Sequence, residues 1–450
     1  MNKSLYIVAF SLAFATTGIA QNNEGQDKTV DLGTQTTTEL RKTQAVSTIY
    51  SDELDKNATT SPYNAIYGLL PGLTVMQNTS WGTDKSRLNV RGRGSLNGDT
   101  PLFVVDGFAR PIEYINLSEI ESISVLKDGA ATALWGGRGA NGVVLITTKR
   151  GMYSKKEIKV DYKFGLGLPV NQPEFADAYT YAKARNEALR YDGLQPDMDE
   201  ASFLAGGNSD LYPNVDWQKE ALRNHTTSHQ LDITFRGGGK RLRYFSVLNY
   251  KNDMGLLNSK YTDYTDRYNS QMKKYFLNLR MNLDVDITDA TKLKLNMLGM
   301  LRETKRPTTS EATLFEQIFN TPSAAFPVQT QNGLWGSNNV LKTNPIANLA
   351  DVGYYKLNQR MLQADLRLIQ DLSVLTRGLS AELAIAYDNN ATYQETAKKS
   401  FMYQTIEKGT DGEPVYTNYG NPNDELEISN KGLALSLIHI SEPTRPISIS

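Results

Sequence analysis

The run from Ser122 to Gly151, SISVLKDGAATALWGGRGANGVVLITTKRG, constrains the fold more than any other part of the chain. It reads as strand, short helix, glycine-rich turn and strand. Ser122–Leu126 is β-branched and apolar, as a buried strand requires. Asp128 stands where its carboxylate can accept from the free N–H groups that open the run Gly129–Trp135. Gly136 and Gly137 end that helix, because glycine reaches the left-handed conformation of a C-terminal cap without steric cost. Val143–Lys149 follows as a second buried strand, closed by Arg150 and Gly151. Inside the turn, Gly137-Arg138-Gly139-Ala140-Asn141-Gly142 fits the G-x-G-x-x-G pattern of dinucleotide sites. That pattern holds a pyrophosphate only when a strand precedes it and a helix N-terminus follows. Here the order is reversed, so the glycines predict a tight turn in a domain core.

The chain has 450 residues, room for two or three domains. Its 48 Lys and Arg nearly balance 49 Asp and Glu, so no net field points to nucleic acid. Cysteine is absent, which excludes disulfides, thiolate metal sites and a cysteine nucleophile. Of the three histidines, His225 and His229 are four apart in strand-like surroundings and His439 is remote. They predict solvated side chains rather than zinc ligands. Lys3, the apolar Leu5–Ala15 and Gly18-Ile19-Ala20 form a secretory signal over residues 1–20, with the mature chain beginning at Gln21.

Residues 21–43 are polar and aperiodic, and predict a flexible arm. From Thr43 short helices alternate with short strands. Ser61-Pro62 opens a helix that Pro71-Gly72 ends, Leu73–Gln77 and Arg87–Arg91 are strands, and Pro101–Gly107 is a strand closed by an Asp106-Gly107 turn. This pattern predicts a small α+β domain over residues 44–151. Beyond it, Lys156–Leu166 is a strand, Phe175–Tyr191 a helix, and then alternation takes over. Leu231, Ile233 and Phe235 alternate with Asp232, Thr234 and Arg236. Leu277, Leu279, Met281, Leu283 and Val285 alternate with Asn278, Arg280, Asn282, Asp284 and Asp286. Leu242–Lys251, Leu293–Leu301, Leu362–Leu368 and Leu379–Tyr387 complete about seven strands, joined by short turns (237–240, 288–290, 371–378) and long segments (252–272, 302–359). Alternation of this kind suits a membrane barrel or a soluble sandwich equally.

Three motifs decide between them. NVRGRGS (89–95), PLFVVDG (101–107) and SVLKDGAATALWGGRGANGVVLITTKRG (124–151) resemble, in this order, the plug domain of the SusC/RagA family of TonB-dependent outer-membrane transporters. Tyr212-Pro213-Asn214-Val215-Asp216-Trp217 resembles a family motif placed before the second barrel strand. The resemblance implies an α+β plug followed by an antiparallel transmembrane β-barrel, of 22 strands in the family. It assigns to the plug motif Arg91, Gly92, Asp106, Gly107, Lys127, Asp128, Gly136, Arg138, Gly139, Asn141 and Gly142. Val30-Asp31-Leu32-Gly33-Thr34-Gln35 resembles the TonB-coupling region ahead of the plug. The implied function is import of an oligosaccharide or peptide, with TonB as energy source, a SusD-like surface lipoprotein as lid and outer-membrane lipid around the wall. The competing reading is a receptor or adhesin that binds without transporting. Residues 152–434 would be the first part of the barrel, since seven strands cannot close without leaving an unpaired edge in lipid. Leu435–Arg445, LSLIHISEPTR, resembles a translated sequencing-library adapter, so residues 435–450 are set aside from the fold.

The sequence holds no catalytic set, no metal site and no cofactor motif: no Gly-x-Ser-x-Gly elbow, and no histidine placed beside a nucleophile. Asp106 and Asp128 read as turn and cap residues. Arg91, Arg93 and Arg138 lie beside glycines; Arg91 and Arg138 are expected to pair with carboxylates on the inner wall, the plainer alternative being plug-surface solvation. Tyr244, Tyr250, Tyr261, Tyr264, Tyr268 and Tyr275 gather around one hairpin, as a sugar-stacking surface or an interfacial aromatic belt.

Overall fold

The computed structural model describes residues 10–13, 29–33, 36–38, 41–54, 56, 59, 61–77, 86–95, 98–153, 156–170, 172–421 and 424–441. Alternating polarity builds most of it. Eight long strands run antiparallel in one sheet: Glu157–Gly167, Thr226–Gly238, Leu242–Met254, Lys273–Asp286, Thr291–Pro307, Gly353–Asp371, Ser380–Lys398 and Glu427–Ser441. Phe10–Ala13, inside the apolar core of the expected secretory signal, lies beside Asp161–Phe164 as a ninth strand; the rest of residues 1–28 falls outside the described residues.

Because side chains alternate with period two, each strand offers one face outward and one inward. Leu277 and Leu279 are outward and exposed, whereas Asn278, Arg280 and Asn282 are inward and buried. Leu362, Leu366 and Leu368 point outward beside inward Gln363 and Asp365. Ile158, Val160, Phe235, Leu248, Met297, Leu301, Leu383 and Ile385 extend the exposed apolar face across the sheet. Soluble monomers rarely leave so wide an apolar band uncovered. An inward polar face is what a wall around a polar filling needs.

Short turns join the strands at one end, through 239–241, 287–290 and 372–379. At the other end the connections are folded. Helices Ala178–Tyr191, Glu311–Asn320 and Pro345–Ala350 belong to them, and Trp217, Tyr261, Leu314, Ile318, Phe326, Trp335 and Ile346 form their shared core. The strands around segment 302–359 run further than the sequence suggests, to Pro307 and from Gly353, because the pairing of Thr291–Pro307 with Gly353–Asp371 continues above the apolar band.

The eighth strand was not among the seven expected. Leu435–Ser441 pairs with Ala384–Asn390 and continues it, while residues 442–450 lie outside the described residues. Its register matches Leu437 with inward Asp388 and Leu435 with Asn390, so Leu433, Leu435 and Leu437 face inward, opposite to the leucines of the other strands. A slip of one residue would reverse every side chain.

The wall partly surrounds residues 44–151. Their five-stranded sheet has the order Val46–Tyr50, Ile120–Leu126, Val143–Thr148, Leu102–Val105, Phe108–Ala109. Val143–Thr148 runs parallel to Leu102–Val105 and antiparallel to Ile120–Leu126. Val144 and Ile146 pack into a core with Ile49, Leu54, Ile66, Leu70 and Ile112. Val143 and Leu145 point the other way, into a second core. Burial on both faces explains why this strand is apolar without alternation.

The second core takes in Val30 and Leu32 of the segment 21–43 expected to be a flexible arm, whose residues 21–28 lie outside the described residues. They lie at 0% and 8% exposure, against Val46, Val104, Leu126 and Leu145. Burying each of the two side chains contributes about 1.5–3 kcal/mol. A fragment of residues 29–151 should therefore unfold cooperatively at a higher denaturant midpoint than one of residues 44–151. Equal midpoints in urea, read by circular dichroism, would show that the segment adds nothing.

Candidate functional site

The plug and the wall meet in a seam of buried polar groups. Glu119 closes the short turn Leu117–Glu119, which Asn116 caps by accepting from the Ser118 N–H at 3.1 Å. Its carboxylate is fully buried and accepts from Arg280 Nε and Asn278 Nδ2, both at 2.5 Å. Burial pushes the Glu119 carboxyl above the usual range, against the opposing pull of Arg280. Asn116 reaches Asn249, which in turn reaches Asp232 and Ser118.

Arg110 makes the second contact. It follows Phe108–Ala109, the edge strand of the plug sheet, and is 5% exposed. Its guanidinium donates through Nη1 to Asp365 at 2.9 Å and through Nε to Asp388 at 3.1 Å, with Nη2 bridging both. Burial disfavours its charge, yet the two carboxylates outweigh that and hold the proton more tightly than usual. Two neighbouring wall strands are thus pinned to one plug side chain.

The third contact centres on Asp106. Its backbone is left-handed, φ +47°, and Gly107 follows at +92°. The carboxylate accepts from the Thr148 N–H at 3.0 Å and hydroxyl at 2.7 Å. Asn282 of the wall donates to Thr148 Oγ1 and to the Lys149 carbonyl, each at 2.8 Å. Arg367 donates to the Asp106 carbonyl at 2.8 Å, so close that a Cβ on Gly107 would lie 2.7 Å from its Nη2. Burial pushes the Asp106 carboxyl up, but Arg150, Arg280 and the Thr148 hydrogen bonds hold it below its ordinary value. Asp106 is therefore a joint between sheet and wall as well as a turn residue. Arg150–Asp284, at 3.3 Å, and Arg302, which donates to the Glu113 carbonyl at 2.7 Å, extend the seam.

The residues singled out from the sequence do other work. Arg91 and Arg138 are exposed, and among the described residues neither has an ion pair with the wall. Arg138 lies in the stretch Ala133–Gly139, and Arg91 has φ +58° and precedes Gly92 at +84°. Arg93 lies 3.9 Å from Asp99, within the plug. Asp128 caps as expected, accepting from Ala131 N–H at 2.8 Å, and its other oxygen accepts from Ala45 at 2.7 Å. These backbone donors, Ala45 foremost, lower its carboxyl. Lys127 donates to Pro71 at 2.9 Å and to Ser47; burial, then Arg91 and Lys42, lower its ammonium. The helix after Asp128 is shorter than expected: Gly129–Thr132, then a tighter 3₁₀ stretch kinked at Gly136, φ +51°. Gly139 packs on Thr132 and Val143, Asn141 donates to Gly98 at 3.1 Å, and Gly142, at φ +88°, turns where a Cβ would meet Val90 at 2.8 Å. Within the motif Asp106 and Gly107 meet the wall, and the remaining motif residues build the plug.

Gly33 continues the docked segment. Asp31 accepts from its N–H at 2.7 Å and from Thr147 Oγ1 at 2.9 Å, and Trp135 lies over Gly33 at φ +93°. Thr34 and Gln35 lie outside the described residues. His229 bonds Tyr162 at 2.7 Å and packs on Phe164, and among the described residues no cluster fits a metal. The tyrosines divide: Tyr244 and Tyr250 lie on the outward face, while Tyr261, Tyr264 and Tyr268 pack in the long connections.

Comparison with known proteins places this architecture. Residues 38–143 match the TonB-dependent Receptor Plug Domain. TonB-dependent receptor SusC of Bacteroides thetaiotaomicron is 30% identical over 255 residues, 53% of this chain and 24% of its own length. TonB-dependent receptor P26 of Formosa agariphila is 28% identical over 281 residues, 61% of this chain and 26% of its own. The RagAB peptide importer in its open-open state superposes with a TM-score of 0.67 at 18% identity, covering 93% of this chain and 51% of that one. Residues 38–143 carry the plug domain of TonB-dependent receptors, and the chain resembles SusC/RagA-type receptors. It spans about a quarter of the length of the curated relatives it matches.

In this SusC/RagA-like chain, removing one partner of a buried ion pair strands the other, at a cost of about 3–5 kcal/mol. Glu119→Gln in the full-length protein should accelerate hydrogen exchange along Ile120–Leu126 and loosen the plug. Adding Arg280→Met should recover most of that protection. Unchanged exchange in the single variant would remove the pair from the seam.

Proposed function

We propose that this chain is the plug and first wall strands of a transporter that imports an oligosaccharide or peptide across the outer membrane, driven by TonB. The observation that carries the reading is the docked segment Val30–Gly33. It resembles the family's coupling region and lies in the second core of the plug, tied by Asp31 to Thr147 on the central plug strand. A partner that captures this segment by strand pairing would uncover Val143 and Leu145. It would thereby weaken the sheet whose far edge carries Arg110 and its wall carboxylates. The likeness to the SusC sequence and the RagAB importer fold supports the transport class. The exposed apolar band supports placement in the outer membrane, with the short turns towards the periplasm and the folded connections outside.

A SusD-like lipoprotein is the partner this reading assigns to the folded connections, where Phe175 and Phe319 stack at 5.8 Å beside a cavity of about 540 Å³. Deleting residues 28–35 from the full-length protein should abolish uptake of its nutrient and leave surface binding intact. Uptake that persists would detach the segment from energy coupling. Binding without uptake in the undeleted protein would favour a receptor or adhesin.

The same reading bears on residues 435–450. Leu435 and Leu437 face inward, against the wall's polarity rule, as does Leu433 just ahead of them, and this supports setting the tail aside. Resequencing the gene should replace Leu435–Ser450 with a segment whose apolar residues fall outward. An unchanged native transcript would make the tail genuine.

A further inference from the structure

The outward face of the wall contains a groove that neither the plug nor the coupling segment explains. It has a volume of about 390 Å³ and is lined by Leu277, Leu279, Leu301 and Leu362, with Gly299 at its floor and Arg360 at its rim. Gly299 pairs with Leu362 and Leu279, in the middle of a face otherwise built from large apolar side chains. Its backbone is ordinary, and a Cβ there would meet no heavy atom within 4 Å. Neither conformation nor crowding requires glycine, so its effect is the groove itself.

Arg360 pairs with Leu301 and Ala391, in the last row before the face turns polar. The next row is Asn358 and Glu303. Lys305 and Lys356 each lie 3.3 Å from Glu303, and with Glu395, opposite Lys356 and held by the Tyr354 hydroxyl at 2.7 Å, these two cations and two carboxylates balance. Among the described residues Arg360 has no carboxylate partner, so this corner carries excess positive charge beside an apolar trough. An arginine fork suits a phosphate, which it meets through two parallel hydrogen bonds. A groove of this volume under a phosphate site fits an acyl chain.

We propose that this groove binds a phosphate-bearing outer-leaflet lipid of the lipid A type, its phosphate on Arg360 and one acyl chain over Gly299. The inference rests on the outer-membrane reading above, because that reading puts the long-connection end in the outer leaflet. The test uses the full-length protein in nanodiscs of phosphatidylethanolamine doped with bisphosphorylated lipid A, with retained lipid counted by native mass spectrometry. The parent should retain lipid A selectively. Arg360→Gln should lower that retention about tenfold, as expected for a lost charge-assisted contact. Gly299→Leu should lower it too, with the charge still present. Equal retention of lipid A by the parent and both variants, or equal retention of phosphatidylethanolamine by the parent, overturns the site. Failure of the full-length protein to insert at all overturns the outer-membrane reading and the site with it. Normal insertion without lipid A selectivity overturns the site alone.

Discussion

Buried charge at the seam is the constraint from which the rest of the architecture follows. Glu119 and Arg280 are both almost wholly removed from water, and Arg110 is held between Asp365 and Asp388. Each isolated charge in such a place would cost several kcal/mol. Each therefore dictates a partner on the opposite body at hydrogen-bond distance, and that fixes the register of the plug against three wall strands. An inward face built for these partners must be polar at every second residue. The remaining residues of each strand are then free to be leucine, and the outward apolar band follows from the same period of two.

Replacing such pairs with apolar residues is often neutral or stabilising, so the seam is better understood as positioning than as glue. It holds the plug in one orientation. Asp106 illustrates the arrangement: its carboxylate joins two strands of the plug sheet while its carbonyl receives Arg367 from the wall. The left-handed Asp106-Gly107 turn lets both contacts come from one residue.

Much of this fold is legible in the sequence. The alternation of Leu277–Val285 with Asn278–Asp286 reports directly which face is buried, because a period of two admits only one partition. The strand–helix–turn–strand order around Asp128 is also legible, since capping and glycine conformation act over a few residues. The seam is not. Arg110 sits in Phe108-Ala109-Arg110-Pro111 and Glu119 in Leu117-Ser118-Glu119-Ile120, with no local pattern to separate them from surface charges. Their partners lie more than a hundred residues away, and only the packed structure joins them. Arg91 and Arg138 drew notice through neighbouring glycines, but those glycines serve turns. The docking of Val30 and Leu32 escaped notice because two apolar residues in a polar stretch make no period.

The position of that segment has a mechanical consequence. Thr29–Asp31 and Thr36–Thr38 form a hairpin, so tension on the chain ahead of it opens the hydrogen bonds one after another rather than shearing them together. The next ordered strand along the chain is Val46–Tyr50, which lies at an edge of the plug sheet and is bonded on one side only, to Ile120–Leu126. Load entering from this end meets an edge strand first, while the centre of the sheet and Arg110 at its opposite margin are loaded last. Yielding would spread across the domain from one side, and the opposite side could stay anchored to the wall throughout.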